Sequence, residues 1–206
     1  MDKAGRFAHD FFMRTPTIFI TAFISTGLIS GCVPQQAEPP LDFFNNLSAY
    51  CGESFEGKVI SSDPQDADWA KETLTMHVRD CSETEIKIPL HVGENRSRTW
   101  IISKTDGFLT LKHDHRHEDG KPDAVTMYGG TTNDLGLSTE QAFPADQFSK
   151  DMFMREGLEV SVDNIWTITI KDDQFTYALA RPNRDFRAQF DLTKPVATPP
   201  PAWGSE

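Results

Sequence analysis

The sequence predicts a mainly β protein: an antiparallel up-and-down β-barrel with a short N-terminal helix and one helix between strands. Three observations carry this. Nine short strand-like runs lie between residues 56 and 194, most with apolar side chains at every second position. Most connections between them are short and rich in Gly, Asp and Ser, as hairpins require. No internal repeat of fixed period is visible, which speaks against a solenoid or propeller. A long meander with one apolar face leaves two exposed edges unless it closes on itself, so a barrel is the natural solution.

The elements follow in order. "LDFFNNLSAYCG" reads as a helix, with Asp42 as N-cap, Phe43, Leu47 and Tyr50 on one stripe and Gly52 past its end. "EGKVIS" is the first strand. "TLTMHVRDC" turns Leu74, Met76 and Val78 inward and Thr75, His77 and Arg79 outward. "EIKIPLHV" alternates in the same way across the turn "SET", and Pro89, without an N–H, marks an edge or bulge. "RTWIISK" and "GFLTLKHDHRH" are joined by "TDG"; "DAVTMYGG" returns after "EDGKP". "PADQFSKDMFMREG" is the inserted helix, capped by Asp146, with Phe148 and Met152 one turn apart. The link before it, "YGGTTNDLGLSTEQAF", reads as a loop or flap. "NIWTITIKD", "QFTYALARP" and "FRAQFDLTK" close the sheet, the last with Phe186, Ala188, Phe190 and Leu192 on one face.

A short helix followed by an up-and-down barrel resembles the calycin class, which includes the lipocalins. The likeness is architectural. The lipocalin Gly-x-Trp signature is missing, since Val59 stands where tryptophan would follow Gly57 and Lys58. The region is also similar to exported bacterial proteins, which implies no particular activity.

The leader is more specific. Ile18 to Ile29 is an apolar run too short for a spanning helix, preceded by Arg14 and Pro16 and followed by small residues. "LISGC" ends it, and Ile29-Ser30-Gly31-Cys32 resembles the lipobox of bacterial lipoproteins. The resemblance implies cleavage before Cys32 and a diacylglycerol on its thiol. Val33 follows, not the aspartate of inner-membrane retention, so the expected location is the outer membrane, facing the periplasm. Residues 1–31 are then signal peptide and 32–41 anchor and tether, rich in Pro and Gln. The barrel takes 42–196, and 197–206 is a loose proline-rich tail, unless Trp203 docks. A start at Met13 would give a leader of more usual length.

With Cys32 removed, Cys51 and Cys81 form an even pair in an oxidising compartment. A disulfide is expected and would add about 3 kcal/mol; free thiols or a metal pair are the alternatives, the latter poor without CxxC spacing. The net charge of −11 speaks against nucleic acid as a partner. The expected partners are the membrane, through Cys32, and a small molecule or an envelope protein.

Leu109, Leu111, His113, His115 and His117 share one parity and therefore one face of a strand. The leucines mark it as the core face, so the histidines continue it to the barrel rim. They are candidates for ligand binding, with Arg181 and Arg187 of "ARPNRDFR", and for holding a divalent metal. Spacing opposes the metal: residues i and i+2 lie roughly 6.5–7 Å apart, so three converge poorly on one ion. Help would have to come from Glu118, Asp119, His77 or His91. The bland alternative is the polar end of a hairpin.

"GFLTLKHDH" resembles the first cupin motif, but Glu118 comes too early and no second motif follows. The elbow Gly-x-Ser-x-Gly, the P-loop and the Rossmann glycines are absent. No complete catalytic motif is present, which favours a binding protein over an enzyme. Three readings stay open: a ligand-binding barrel, a filled interaction module of the envelope, and a metal-dependent cupin-type enzyme. The lipobox reading predicts that Cys32→Ala abolishes lipid labelling and moves the chain from the membrane to the soluble fraction. Unchanged membrane partition of that variant, measured by detergent fractionation, would contradict it.

Overall fold

Eleven antiparallel strands form one sheet that runs almost completely round a barrel. The computed structural model describes residues 38–205. The expected signal peptide and lipobox, with Cys32 and Met13, and residues 33–37 of the expected tether lie outside the described residues. Helix α1 (Pro39–Ser48) leads into β1 (Ser54–Val59), β2 (Leu74–His77), β3 (Asp80–Cys81), β4 (Glu85–Val92), β5 (Asn95–Thr105), β6 (Phe108–His115) and β7 (Tyr128–Thr131). After β8 (Glu140–Pro144) come α2 (Gln147–Arg155), β9 (Ile165–Lys171), β10 (Gln174–Arg181) and β11 (Arg184–Val196). Most strands pair with their neighbours in sequence, β2 pairs with β4, and β1 pairs with β11. Because β2 and β3 both pair with β4, the ring has ten positions, where lipocalins have eight.

Most elements follow the periodicity of the sequence. β4 has the expected limits, and Ile86, Ile88 and Leu90 are fully buried. Pro89 lies opposite the break between β2 and β3, where no ladder donor is needed. Cys51 and Cys81 are bonded, with Cα atoms 6.2 Å apart. Phe186, Ala188, Phe190 and Leu192 of β11 are all buried.

Several expectations are corrected. α1 begins at Pro39, whose fixed φ suits a first helical turn, and Asp42 lies inside that turn rather than capping it. In α2, Asp146 does cap, accepting from Ser149 N at 2.9 Å. The buried stripe of α2 is Ser149, Met152 and Phe153, while Phe148 is 57% exposed. Of the expected strand "DAVTMYGG" only the end is strand, as β7, and the "loop" that follows contains a further strand, β8. β8 was hidden because "EQAFP" is short and ends in proline.

The tail is not loose. Trp203 N donates to Arg96 O (3.0 Å), Arg96 Nη1 donates to Pro201 O (3.2 Å), and Arg79 Nη1 donates to Ser205 Oγ (2.7 Å). Residues 198–202 lie beside His77 and Pro89 and cover outward-facing His77.

The ring closes where β7 meets β8 and the start of α2. No ladder joins the two strands. Instead, Asp146 N donates to Gly129 O (2.9 Å), and Gly129 N donates to Ser149 Oγ (2.7 Å). Such close approach on both flanks of β7 requires its two glycines. A Cβ on Gly130 would stand 1.8 Å from Pro144 O, and one on Gly129 would stand 1.8 Å from Leu111 O. The "YGG" sequence is thus a strand that lets two backbones approach. Gly130→Ala should destabilise the fold by about 3 kcal/mol, because backbone must move to admit the methyl group. Urea unfolding would measure this; a loss below about 0.5 kcal/mol would show that the seam is not tight.

Candidate functional site

The two ends of the barrel differ. At one end, where the β5–β6 turn lies, α1 buries Phe43, Phe44 and Leu47 completely. Above it the interior is filled: Phe55, Phe143, Trp166, Phe175 and Phe190 are all fully buried. At the other end a cavity of about 400 Å³ remains. Its wall comes from β4, β5, β6, β7, β10 and β11, strands on opposite sides of the ring, so it lies inside the barrel. The loop between β1 and β2 hangs over it and contributes Gln65, Asp66 and Trp69.

Side-chain parity places the wall. On β6, His113 and His115 follow Leu109 and Leu111 inward, as the sequence implies; His113 is 3% exposed and His115 is half-buried. On β5, Arg98 and Trp100 share the parity of Ile102. On β10, Tyr177, Leu179 and Arg181 follow Phe175, and on β11 Arg184 follows the parity of Phe186. Trp100 and Tyr177 stack with ring centres 4.5 Å apart and form the cavity floor.

The histidines are held by tyrosines. His113 Nδ1 lies 3.1 Å from Tyr128 O, which can only accept, so this nitrogen carries the proton. Nε2, 2.8 Å from the Tyr177 hydroxyl, then accepts from it. The Tyr128 hydroxyl lies 3.1 Å from His115 Nε2, and the His113 and Tyr128 rings stack at 4.6 Å. Burial depresses the His113 pKa to about 3. Burial, helped by the charge of Arg98, lowers that of His115 to about 4. Burial also raises both phenols above their ordinary value. Neither imidazole is poised for acid–base work near pH 7, and neither tyrosine is a phenolate. They form a neutral, hydrogen-bonded wall.

The cavity charge comes from arginine. Arg184 Nη1 donates to Asp63 (3.2 Å), and Nη2 pairs with buried Asp66, whose other oxygen accepts from Ser61 Oγ (2.5 Å). Arg98 lies over the Trp69 ring at 4.7 Å and donates to Asn95 Oδ1 (2.9 Å) and Ser97 Oγ (3.0 Å). Arg181 donates to Asn164 Oδ1 (3.2 Å).

Compared with protein-family models, curated proteins and solved structures, the chain matches none.

Two expected site residues lie elsewhere. His117 is past the end of β6, with a side chain 59% exposed and 4.0 Å from Asp123. Arg187 has outward parity on β11 and pairs with Asp185 at 3.0 Å. The metal reading of His113, His115 and His117 loses its third member. Among the described residues no group of three His, Cys, Asp or Glu side chains could hold a metal ion. Nor do the suggested helpers join it: His77 and His91 have outward parity on β2 and β4, and Glu118 and Asp119 are exposed in a turn. Sequence reasoning missed Arg98, Trp69, Trp100, Tyr128 and Tyr177, while Arg184 stands in the arginine-rich stretch it singled out. Strand parity alone could have found Arg98, Trp100 and Tyr177. Trp69 needed the fold of a loop.

Both cavity histidines have native pKa values below the ordinary 6.5. The unfolded chain therefore binds protons that the native state refuses, and stability falls as pH drops from about 6.5 towards 4. NMR titration should show His113 and His115 still neutral at pH 5. His113→Gln should make stability less dependent on pH in that window, by up to about 1.4 kcal/mol per pH unit. An imidazole titrating near pH 6.5 at position 113 would contradict this burial.

Proposed function

We propose that this chain is a lipid-anchored protein of the bacterial cell envelope whose barrel takes a small organic ligand into its open end. The cavity carries the reading. A barrel packed with fully buried aromatic side chains over most of its length stops being packed at Trp100 and Tyr177. The space above is of the size small-molecule sites use. A filled interaction module accounts for the packed part and leaves the cavity unexplained.

The lipobox supports the anchoring half of the reading, and Val33 supports an outer-membrane location. The tether leads into α1, which lies at the filled end. The neutral tyrosine–histidine wall supports binding over catalysis, since it offers orientation without a proton donor or base of suitable pKa.

Native mass spectrometry of the full chain, purified from its own host, tests this. A small molecule should stay bound under native conditions, leave on denaturation, and be absent from Leu179→Trp, in which the indole fills the cavity. Retention of the same molecule by Leu179→Trp, or none on either protein, would refute the reading.

A further inference from the structure

The cavity holds charges that the rest of the molecule does not need. We infer that the ligand is an organic anion, a carboxylate on a flat apolar body, with its head between Arg98 and Arg181. This inference rests on the reading that the cavity binds a small molecule.

Three guanidinium groups and one carboxylate line the space, in a protein whose net charge is −11. Arg184 and Asp66 satisfy each other, with Asp63 and Ser61 completing the cluster. Arg98 and Arg181 have no carboxylate within salt-bridge distance among the described residues. Their protein partners are neutral oxygens: Asn95 and Ser97 for Arg98, Asn164 for Arg181. Withdrawing a guanidinium from water without an opposite charge is costly, and an incoming anion removes the cost. Burial already pulls the Arg98 pKa down, with no carboxylate opposing it. A guanidinium fork matches a carboxylate geometrically and binds it with two parallel hydrogen bonds.

The body of the ligand follows from the floor. Arg98 sits one inward position above Trp100 on β5, and Arg181 one above Leu179 on β10. The cationic level is thus at the mouth and the apolar level beneath it. Trp100 and Phe186 offer aromatic surface below, and Trp69 closes over from the loop, 5.4 Å from the Phe186 ring. An aromatic lining of this kind suits a flat apolar ring. The histidines contribute no charge above about pH 5, so attraction of the head should depend on the arginines alone.

Calorimetric titration of the detergent-solubilised full chain with cinnamate, cinnamyl alcohol and cinnamylamine tests this. These probes share one body and differ in head group. Cinnamate should bind at least about tenfold tighter than the alcohol, and the amine more weakly than either. Arg98→Gln and Arg181→Gln should each cost cinnamate about tenfold and leave the alcohol within about twofold. The preference for cinnamate should stay constant from pH 8 to pH 6. Equal binding of acid and alcohol would overturn the anion inference and leave the cavity reading standing. Failure of all three probes to bind would remove both. Circular dichroism reports folding of the variants, and Arg181→Gln, at the rim, decides the matter if Arg98→Gln does not fold.

Discussion

The barrel depends on a closure that is not a strand ladder. Everywhere else round the ring, neighbouring strands satisfy each other with paired backbone hydrogen bonds. At β7 and β8 the task falls to the start of α2. Asp146 N and Ser149 Oγ take up the two backbone groups of Gly129, and the Asp146 carboxylate holds Ser149 while pairing with Lys112 on β6. One helix cap thus ends a helix, satisfies a strand edge and ties three strands together. Without it, β7 and β8 would be two free edges, and both the packed core and the cavity would open to water.

That closure also sets up the site. Tyr128 is the first residue of β7, immediately before the two glycines of the seam. Its carbonyl fixes the His113 tautomer, its ring stacks on His113, and its hydroxyl meets His115. A glycine pair that looks like loop sequence therefore controls how the cavity wall is arranged. The physical reason is distance: only a residue without a Cβ lets β7 lie as close to Leu111 and Pro144 as it does.

Electrostatics divides the same interior into two levels. Towards the core, burial has removed charge: His113 is neutral, the phenols are protonated, and both ring nitrogens of His113 are hydrogen-bonded to tyrosine residues, while His115, level with Arg98, is neutral too. Above, guanidinium groups are kept charged at the rim, one neutralised by Asp63 and Asp66 and two facing neutral oxygens. Burial decides the lower level because imidazole loses its proton more cheaply than it loses water. Arginine cannot follow that route, since its pKa stays far above neutral even when lowered.

The sequence by itself determined what depends on local pattern. Strand parity placed Leu109, Leu111, His113 and His115 on one inward face, and the same rule, applied to β5, β10 and β11, reaches Arg98, Tyr177, Arg181 and Arg184. Cysteine parity led to the Cys51–Cys81 bond, and Asp146 was recognisable as a cap. Other features were decided only by tertiary structure. That His117 falls outside the site depends on where β6 stops, which is at the last residue of its ladder with β5. That the proline-rich tail lies against β4 and β5 depends on surface it meets from residues far away in sequence. Composition alone made the tail look free, because proline has no ladder to join, yet its carbonyls still accept from Arg96. The cavity is the clearest case. Each strand specifies which side chains face inward, but whether they fill the space depends on how the eleven strands curve round it and on what hangs over the end.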